Sequence, residues 1–114
     1  MKNADRLLIA FYAACAAVAL YATWSHNLAF FAQPDNGGLA GFVRQSYANH
    51  AASSIANDIL MVCLAAFAFM IAEARRLGIR HVWLYILLSL GIAVSVMFPL
   101  FLIARQRRLA RAAG

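Results

Sequence analysis

Histidine offers the widest choice of chemistry in this chain, because imidazole can bind a metal ion, a haem iron or a chlorophyll magnesium. The three histidines, His26, His50 and His81, stand apart in the sequence. None belongs to an H-x-x-x-H or H-E-x-x-H pair, which would place two ligands on one helical face. The sequence therefore predicts no metal site.

His26 has a feature that favours a pigment. It follows Ala22 by four residues in the apolar segment ALYATWSHNLAFF. This spacing resembles the A-x-x-x-H arrangement with which light-harvesting polypeptides of purple bacteria hold bacteriochlorophyll, where the small residue leaves room for the macrocycle. The resemblance makes His26 a candidate cofactor ligand, and the candidate cofactors are bacteriochlorophyll, carotenoid, quinone and lipid. The alternative is a histidine that lies beside Trp24 at a membrane surface.

Asp58 and Glu73 are the next candidates, because ionisable residues at the edges of a membrane helix can mark an ion or substrate path. The alternatives are structural: Glu73 can pair with Arg76 three residues later, and Asp58 can anchor the start of its helix. On one helix the two carboxylates lie about 22 Å apart, too far to act together on one bond. No nucleophile has a recognisable partner, and we expect no enzyme.

The elements that position these side chains are membrane helices. The run from Val82 to Ala104 contains no charged residue and would span about 34 Å as one helix, enough for the ~30 Å hydrocarbon core of a bilayer. Hydrophobic residues make up 65% of the chain, charged residues 12%, and the mean hydropathy is +0.74. A water-soluble fold of this size cannot bury so much apolar surface. The fold class predicted is an all-α membrane protein.

Turn formers and charges divide the chain into three predicted transmembrane helices within one domain, 1–114. Pro34 to Gly38 marks the first loop, and Gly78 is a predicted C-cap that makes helices two and three a tight antiparallel hairpin. The first apolar run exceeds the core of a signal peptide, so we expect it to remain uncleaved. The predicted segments are helices 6–31, 52–76 and 81–105, a loop with an interfacial segment over 32–51, and a basic tail over 105–114.

The distribution of Lys and Arg predicts the orientation. Lys2 and Arg6 precede the first helix and Arg75, Arg76 and Arg80 follow the second, so we expect the N-terminus and the second loop to be cytoplasmic in a multi-pass protein of the bacterial inner membrane. Three helices then place the tail outside, and the two sides tie at five Lys and Arg residues each. We expect lipids rather than nucleic acid as the partners of this charge. The candidate contacts with headgroups or partner subunits are Arg75, Arg80, Arg105, Arg107, Arg108 and Arg111.

Small residues at helical spacing predict close helix packing. The residues assigned to packing are Ala13, Ala17, Ser89, Gly91, Ala93 and Pro99, with Ala10 and Ala14 on the first helix and Ala65, Ala68 and Ala72 on the second. Large side chains are expected on the opposite faces, towards lipid, pigment or a partner: Phe11, Tyr12, Phe30, Phe67, Phe69, Trp83 and Phe101. Cys15 and Cys63 are expected to be small buried residues.

From residue 7 to residue 108 the chain resembles a family of small bacterial membrane proteins classed as a domain of unknown function. Asp58, the Glu73-x-Arg75-Arg76-x-Gly78 turn, Trp83, Gly91 and the closing Phe98-Pro99-Leu100-Phe101-Leu102 carry the resemblance. It implies three transmembrane helices and brings no established reaction, cofactor or catalytic residue.

The expected function is that of a non-catalytic accessory subunit, which packs against other transmembrane subunits and helps a larger complex to assemble. A photosynthetic reaction centre with its light-harvesting antenna is the first candidate for that complex. One alternative is a small homo-oligomeric transporter or channel that uses Asp58 or Glu73. Another is a lipid- or quinone-binding membrane protein.

Overall fold

The chain forms a bundle of helices about 54 Å long and 24 Å wide. A computed structural model describes residues 1–113, which contain five helices and no strand. Two of the helices, α1 and α3, are long and apolar enough to cross a membrane. In chain order the helices are α1 (Asn3–Ala32), α2 (Gly38–Gln45), α3 (His50–Leu77), α4 (Val82–Gly91) and α5 (Val94–Ala113).

Local hydrogen bonds explain where α1 and α3 end. After α1, the side-chain amide of Asn36 donates to the carbonyls of Phe31 and Gln33 at 2.9 and 3.0 Å. Carbonyls at the end of a helix have no donor within the helix, so Asn36 stabilises this end. Asn49 caps α3 by accepting the Ala52 amide at 2.8 Å. Gly78 ends α3 in the left-handed conformation, φ 69°, that glycine adopts without strain.

The prediction of one helix over 81–105 is wrong. The segment forms two helices that meet at Ile92 and Ala93 and fold back on each other, with the rings of Tyr85 and Phe101 5.5 Å apart. At the break the Trp24 indole donates to the Ile92 carbonyl at 2.9 Å. That hydrogen bond replaces the one a continuous helix would give this carbonyl, because an α-helical carbonyl accepts from the residue four positions later.

Helix α5 is the axis of the bundle. Ala16 of α1 packs against Val96 and Met97, and Met70 and Ala74 of α3 pack around Phe101. Phe101 and Met70 are fully buried. α1 runs antiparallel to α5, because Asp5 meets Gln106 whereas Trp24 meets Ile92. α3 runs parallel to α5, because Phe69 meets Phe98 and Glu73 meets Arg105.

The alanines predicted to pack on α1 and α3 face outwards, and so do Phe11 and Phe69, which the sequence also predicts to face outwards. Ala13 and Ala17 are exposed, and the buried alanine of α1 is Ala16. The fully buried Phe101 was expected to face outwards, yet it fills the space between α3, α4 and α5. Both faces of these helices are apolar, so hydropathy carries no signal for the inward one. All the alanines that the sequence assigns to packing on these two helices are exposed: Ala10, Ala13, Ala14 and Ala17 on α1, and Ala65, Ala68 and Ala72 on α3.

The residues assigned to packing on the third predicted helix differ in how deeply they are buried. Ser89 is buried, and its hydroxyl donates to the Tyr85 carbonyl at 2.6 Å. Ala93 packs against the cluster of Ala16, and Pro99 lies half-buried inside α5. Gly91 is exposed at the end of α4. Ser89 and Ala93 therefore serve packing within the chain.

Candidate functional site

One end of the bundle carries almost all the positive charge. The start of α1, the end of α3, the start of α4 and the end of α5 meet there, joined by hydrogen bonds from Gln106 to Asp5 at 2.6 Å and from Arg108 to the Gly78 carbonyl at 2.8 Å. The prediction that the basic tail lies on the side opposite the second loop is wrong, because α5 folds back along α4 and ends beside that loop. Nine of the ten Lys and Arg residues lie at this basic end: Lys2, Arg6, Arg75, Arg76, Arg80, Arg105, Arg107, Arg108 and Arg111.

Glu73 is the centre of an ion-pair cluster at the basic end. Its side chain is only 12% exposed and accepts two hydrogen bonds from Arg76, at 2.7 and 2.8 Å, and one from Arg105 at 2.6 Å. The Arg105 guanidinium lies 5.5 Å from the centre of the Phe69 ring. Both Glu73 oxygens are engaged, so the cluster fastens α3 to α5.

Of the two arginines that pair with Glu73, the sequence predicts only one. Arg76 follows at a helical spacing of three, so the sequence predicts that pair. Arg105 lies 32 residues later, and its contact depends on the fold-back of α5.

Asp58 has an exposed side chain and lies eight residues inside α3, in the half of the helix away from Glu73. The expected role of Asp58 at the start of its helix is wrong, because α3 begins at His50 and is capped by Asn49. Asp58 borders a cavity of about 400 Å³ that Val94, Ser95 and Pro99 also line. The structure therefore does not bring Asp58 together with Glu73, which lies fifteen residues, or about 22 Å, further along the same helix.

His26 lies on an exposed face of α1, and Ala22 is exposed as well. His81 is at the start of α4 and His50 at the start of α3, on other parts of the bundle. Among residues 1–113, no three His, Cys, Asp or Glu side chains are grouped to hold a metal ion. Trp24, which the alternative places beside His26 at a membrane surface, donates its indole N–H to the Ile92 carbonyl.

A cavity of about 390 Å³ separates α1 from α3 near the break between α4 and α5. Asn27, Cys63 and Ser89 are among the residues that line it. Helix α2 lies over this end, with the Phe42 ring 5.3 Å from Phe30 and 5.8 Å from Phe31. Sequence reasoning places a loop here and misses the helix.

A groove of about 520 Å³ lies between α4 and α5. Its walls are apolar, and a pocket of about 260 Å³ that carries Arg108 and Arg111 adjoins its basic mouth. We call the 520 Å³ groove the α4–α5 groove. It is lined by Arg80, His81, Leu84, Tyr85, Leu88, Met97, Leu100, Ile103, Ala104 and Arg107.

The family described as "Protein of unknown function DUF2834" has a sequence model that matches residues 11–107. The chain belongs to this family. The match covers α2, α3 and α4 completely and most of α1 and α5. The comparison with curated proteins gives no match, and neither does the comparison with solved structures.

Proposed function

We propose that this DUF2834 protein is a non-catalytic accessory subunit of a larger complex in the bacterial inner membrane. Its basic end faces the cytoplasm, since positive charge is retained on that side of a membrane. Lys2, Arg80 and Arg111, at the ends of different helices, then all lie on one side. The fold-back of α4 and α5 supports this orientation because it removes the conflict between the arginines of the tail and those of the second loop.

The observation that carries the proposal is the outward direction of the alanine faces. Ala13 and Ala17 are exposed on α1, and Ala65, Ala68 and Ala72 are exposed on α3. Lipid gives helices no hydrophobic reason to associate, and small residues favour association because they let two backbones approach closely. The chain's own helices do not use these faces, which fit the helices of other subunits.

The photosynthetic reaction centre with its antenna remains our first candidate for the complex. Ala22 and His26 are exposed, a position from which the imidazole can reach a pigment held by a neighbouring subunit. This supports a peripheral pigment contact, and respiratory complexes are the next candidates.

The test is to fill the alanine face of α1. We expect the double variant Ala13→Leu/Ala17→Leu to weaken the association about tenfold or more, because overpacking costs about 1–3 kcal/mol. Val18→Leu is the matched control, since Val18 is 67% exposed on the same helix. The measurement is the set of polypeptides that co-purify with the tagged protein from gently solubilised native membranes, together with the absorption spectrum.

A wild-type protein that purifies as a homo-oligomer without other subunits would contradict the proposal. It would favour the transporter, which would depend on Asp58 because Glu73 is held by two arginines. Asp58→Asn separates the two functions: an accessory subunit keeps its partners, whereas a proton-coupled carrier loses transport.

A further inference from the structure

Some arginines of the basic end form an ion pair or a hydrogen bond within the chain, and others do not. Arg105 pairs with Glu73, and Arg108 donates to the Gly78 carbonyl. The guanidinium groups of Arg80, Arg107 and Arg111 make no hydrogen bond or ion pair with any residue of 1–113. Two of these three, Arg80 and Arg107, line the mouth of the α4–α5 groove.

The chain has few carboxylates with which to neutralise this mouth. Glu73 is engaged by two arginines, and Asp5 accepts hydrogen bonds from Gln106 and from the Lys2 amide. Asp35 and Asp58 lie towards the opposite end of the bundle. The charge at the mouth therefore complements an anion from outside the chain.

Below the mouth the groove is apolar. Leu84 and Leu88 line it from α4, and Leu100 and Ile103 line it from α5. From His81 to Leu88 it extends about 10 Å along α4. Its volume of about 520 Å³ lies within the usual range of ligand pockets, about 300–1,000 Å³. A free inorganic anion would use the mouth and leave these walls uncovered, whereas an amphiphile covers both.

We propose that the α4–α5 groove binds one anionic phospholipid, whose phosphate lies between Arg80 and Arg107 and whose acyl chain lies along Leu84, Leu88 and Leu100. This inference rests on the membrane placement proposed above and is independent of the accessory role. Arginine suits the phosphate because its planar donors can engage two oxygens. Arg111, in the adjoining pocket, adds positive charge at the headgroup level.

The experiment uses the purified, delipidated full-length protein in mild detergent. Native mass spectrometry measures how much phosphatidylglycerol it retains, with phosphatidylcholine and inorganic phosphate as comparison and competitor. We expect one phosphatidylglycerol per chain, weak retention of phosphatidylcholine and no displacement by phosphate. Arg80→Gln/Arg107→Gln should weaken binding about thirtyfold, because each arginine near an anionic lipid contributes about fivefold.

The matched control is Lys2→Gln/Arg6→Gln, which removes the same charge from exposed positions at the same end that do not line the groove. It should retain the lipid. Equal losses in both double variants, or retention in the groove variant, would overturn the proposal. Displacement by phosphate would reduce the site to an anion site without an acyl chain and would also overturn it.

A second variant tests the groove without changing its charge. Ala104→Leu narrows the apolar wall and should weaken lipid binding, whereas Ala72→Leu, on the exposed face of α3, should not. Circular dichroism checks that each variant is folded. A folded Ala104→Leu protein that binds phosphatidylglycerol as the wild type does would contradict the assigned path of the acyl chain.

Discussion

The two contact zones along α5 are built differently. The zone with α3 contains the fully buried side chains Met70 and Phe101, and an ion pair closes it at the basic end. The zone with α1 centres on Ala16, with a single side-chain hydrogen bond near each end. The first zone depends on shape and charge, whereas the second depends on the close approach that a small residue permits. The two zones should therefore respond differently to mutation.

The largest loss of stability is expected from Phe101→Ala. Phe101 is fully buried among side chains of α3 and α4, and its removal leaves a cavity that should cost about 3–5 kcal/mol of unfolding free energy. Denaturant unfolding in mixed micelles, followed by circular dichroism, measures the change. Phe11→Ala is the control, because Phe11 is 61% exposed. Similar losses in both variants would show that the α3 contact zone does not depend on packing.

The next largest effect is expected from Glu73→Gln. The substitution leaves Arg105, whose side chain is 26% exposed, without its carboxylate and breaks the ion pair that joins α3 to α5, so the unfolding free energy should fall. Arg76→Gln should lower the unfolding free energy less, since the Arg76 side chain is 57% exposed and solvent screens its charge. The same unfolding measurement ranks the two variants. If Arg76→Gln lowered the unfolding free energy as much as Glu73→Gln does, the stabilising ion pair would be the one within α3 and not the one between α3 and α5.

A smaller effect than that of Glu73→Gln is expected from Trp24→Phe, which removes the donor to the Ile92 carbonyl and keeps an aromatic ring. A hydrogen bond of this kind contributes about 1 kcal/mol. Hydrogen exchange at the amides around the break between α4 and α5 should increase, while exchange at the α3 contact zone should not. Equal changes in both zones would show that the two are coupled through α5.

The sequence was informative where a local pattern decides the structure. Gly78 predicts the end of a helix before the basic loop, and the spacing of Glu73 and Arg76 predicts their contact. The all-helical fold follows from long apolar runs that are divided by turn residues. Each of these features depends on residues that are close together in the chain.

The break at Ile92 and the position of Phe101 could not be predicted, because they depend on residues far away in the chain. An uncharged run of this length fits one spanning helix as well as a hairpin of two shorter ones, and a glycine such as Gly91 weakens a helix without necessarily ending it. The donor that stabilises the break, Trp24, is 68 residues away. The α4–α5 groove was missed for the same reason, since its two walls belong to what looked like one helix.

The central position of α5 has a consequence for the order of assembly. α1 makes its side-chain hydrogen bonds with Gln106 and Ile92, which are separated from their partners by 101 and 68 residues. Contacts of such long sequence separation form late, and α5 is the last of the five helices to be synthesised. Until α5 emerges, α1 lacks the hydrogen bond between Asp5 and Gln106 and the packing of Ala16 against Val96 and Met97. During that interval both its inward face, with Ala16, and its outward face, with Ala13 and Ala17, are uncovered by the rest of the chain.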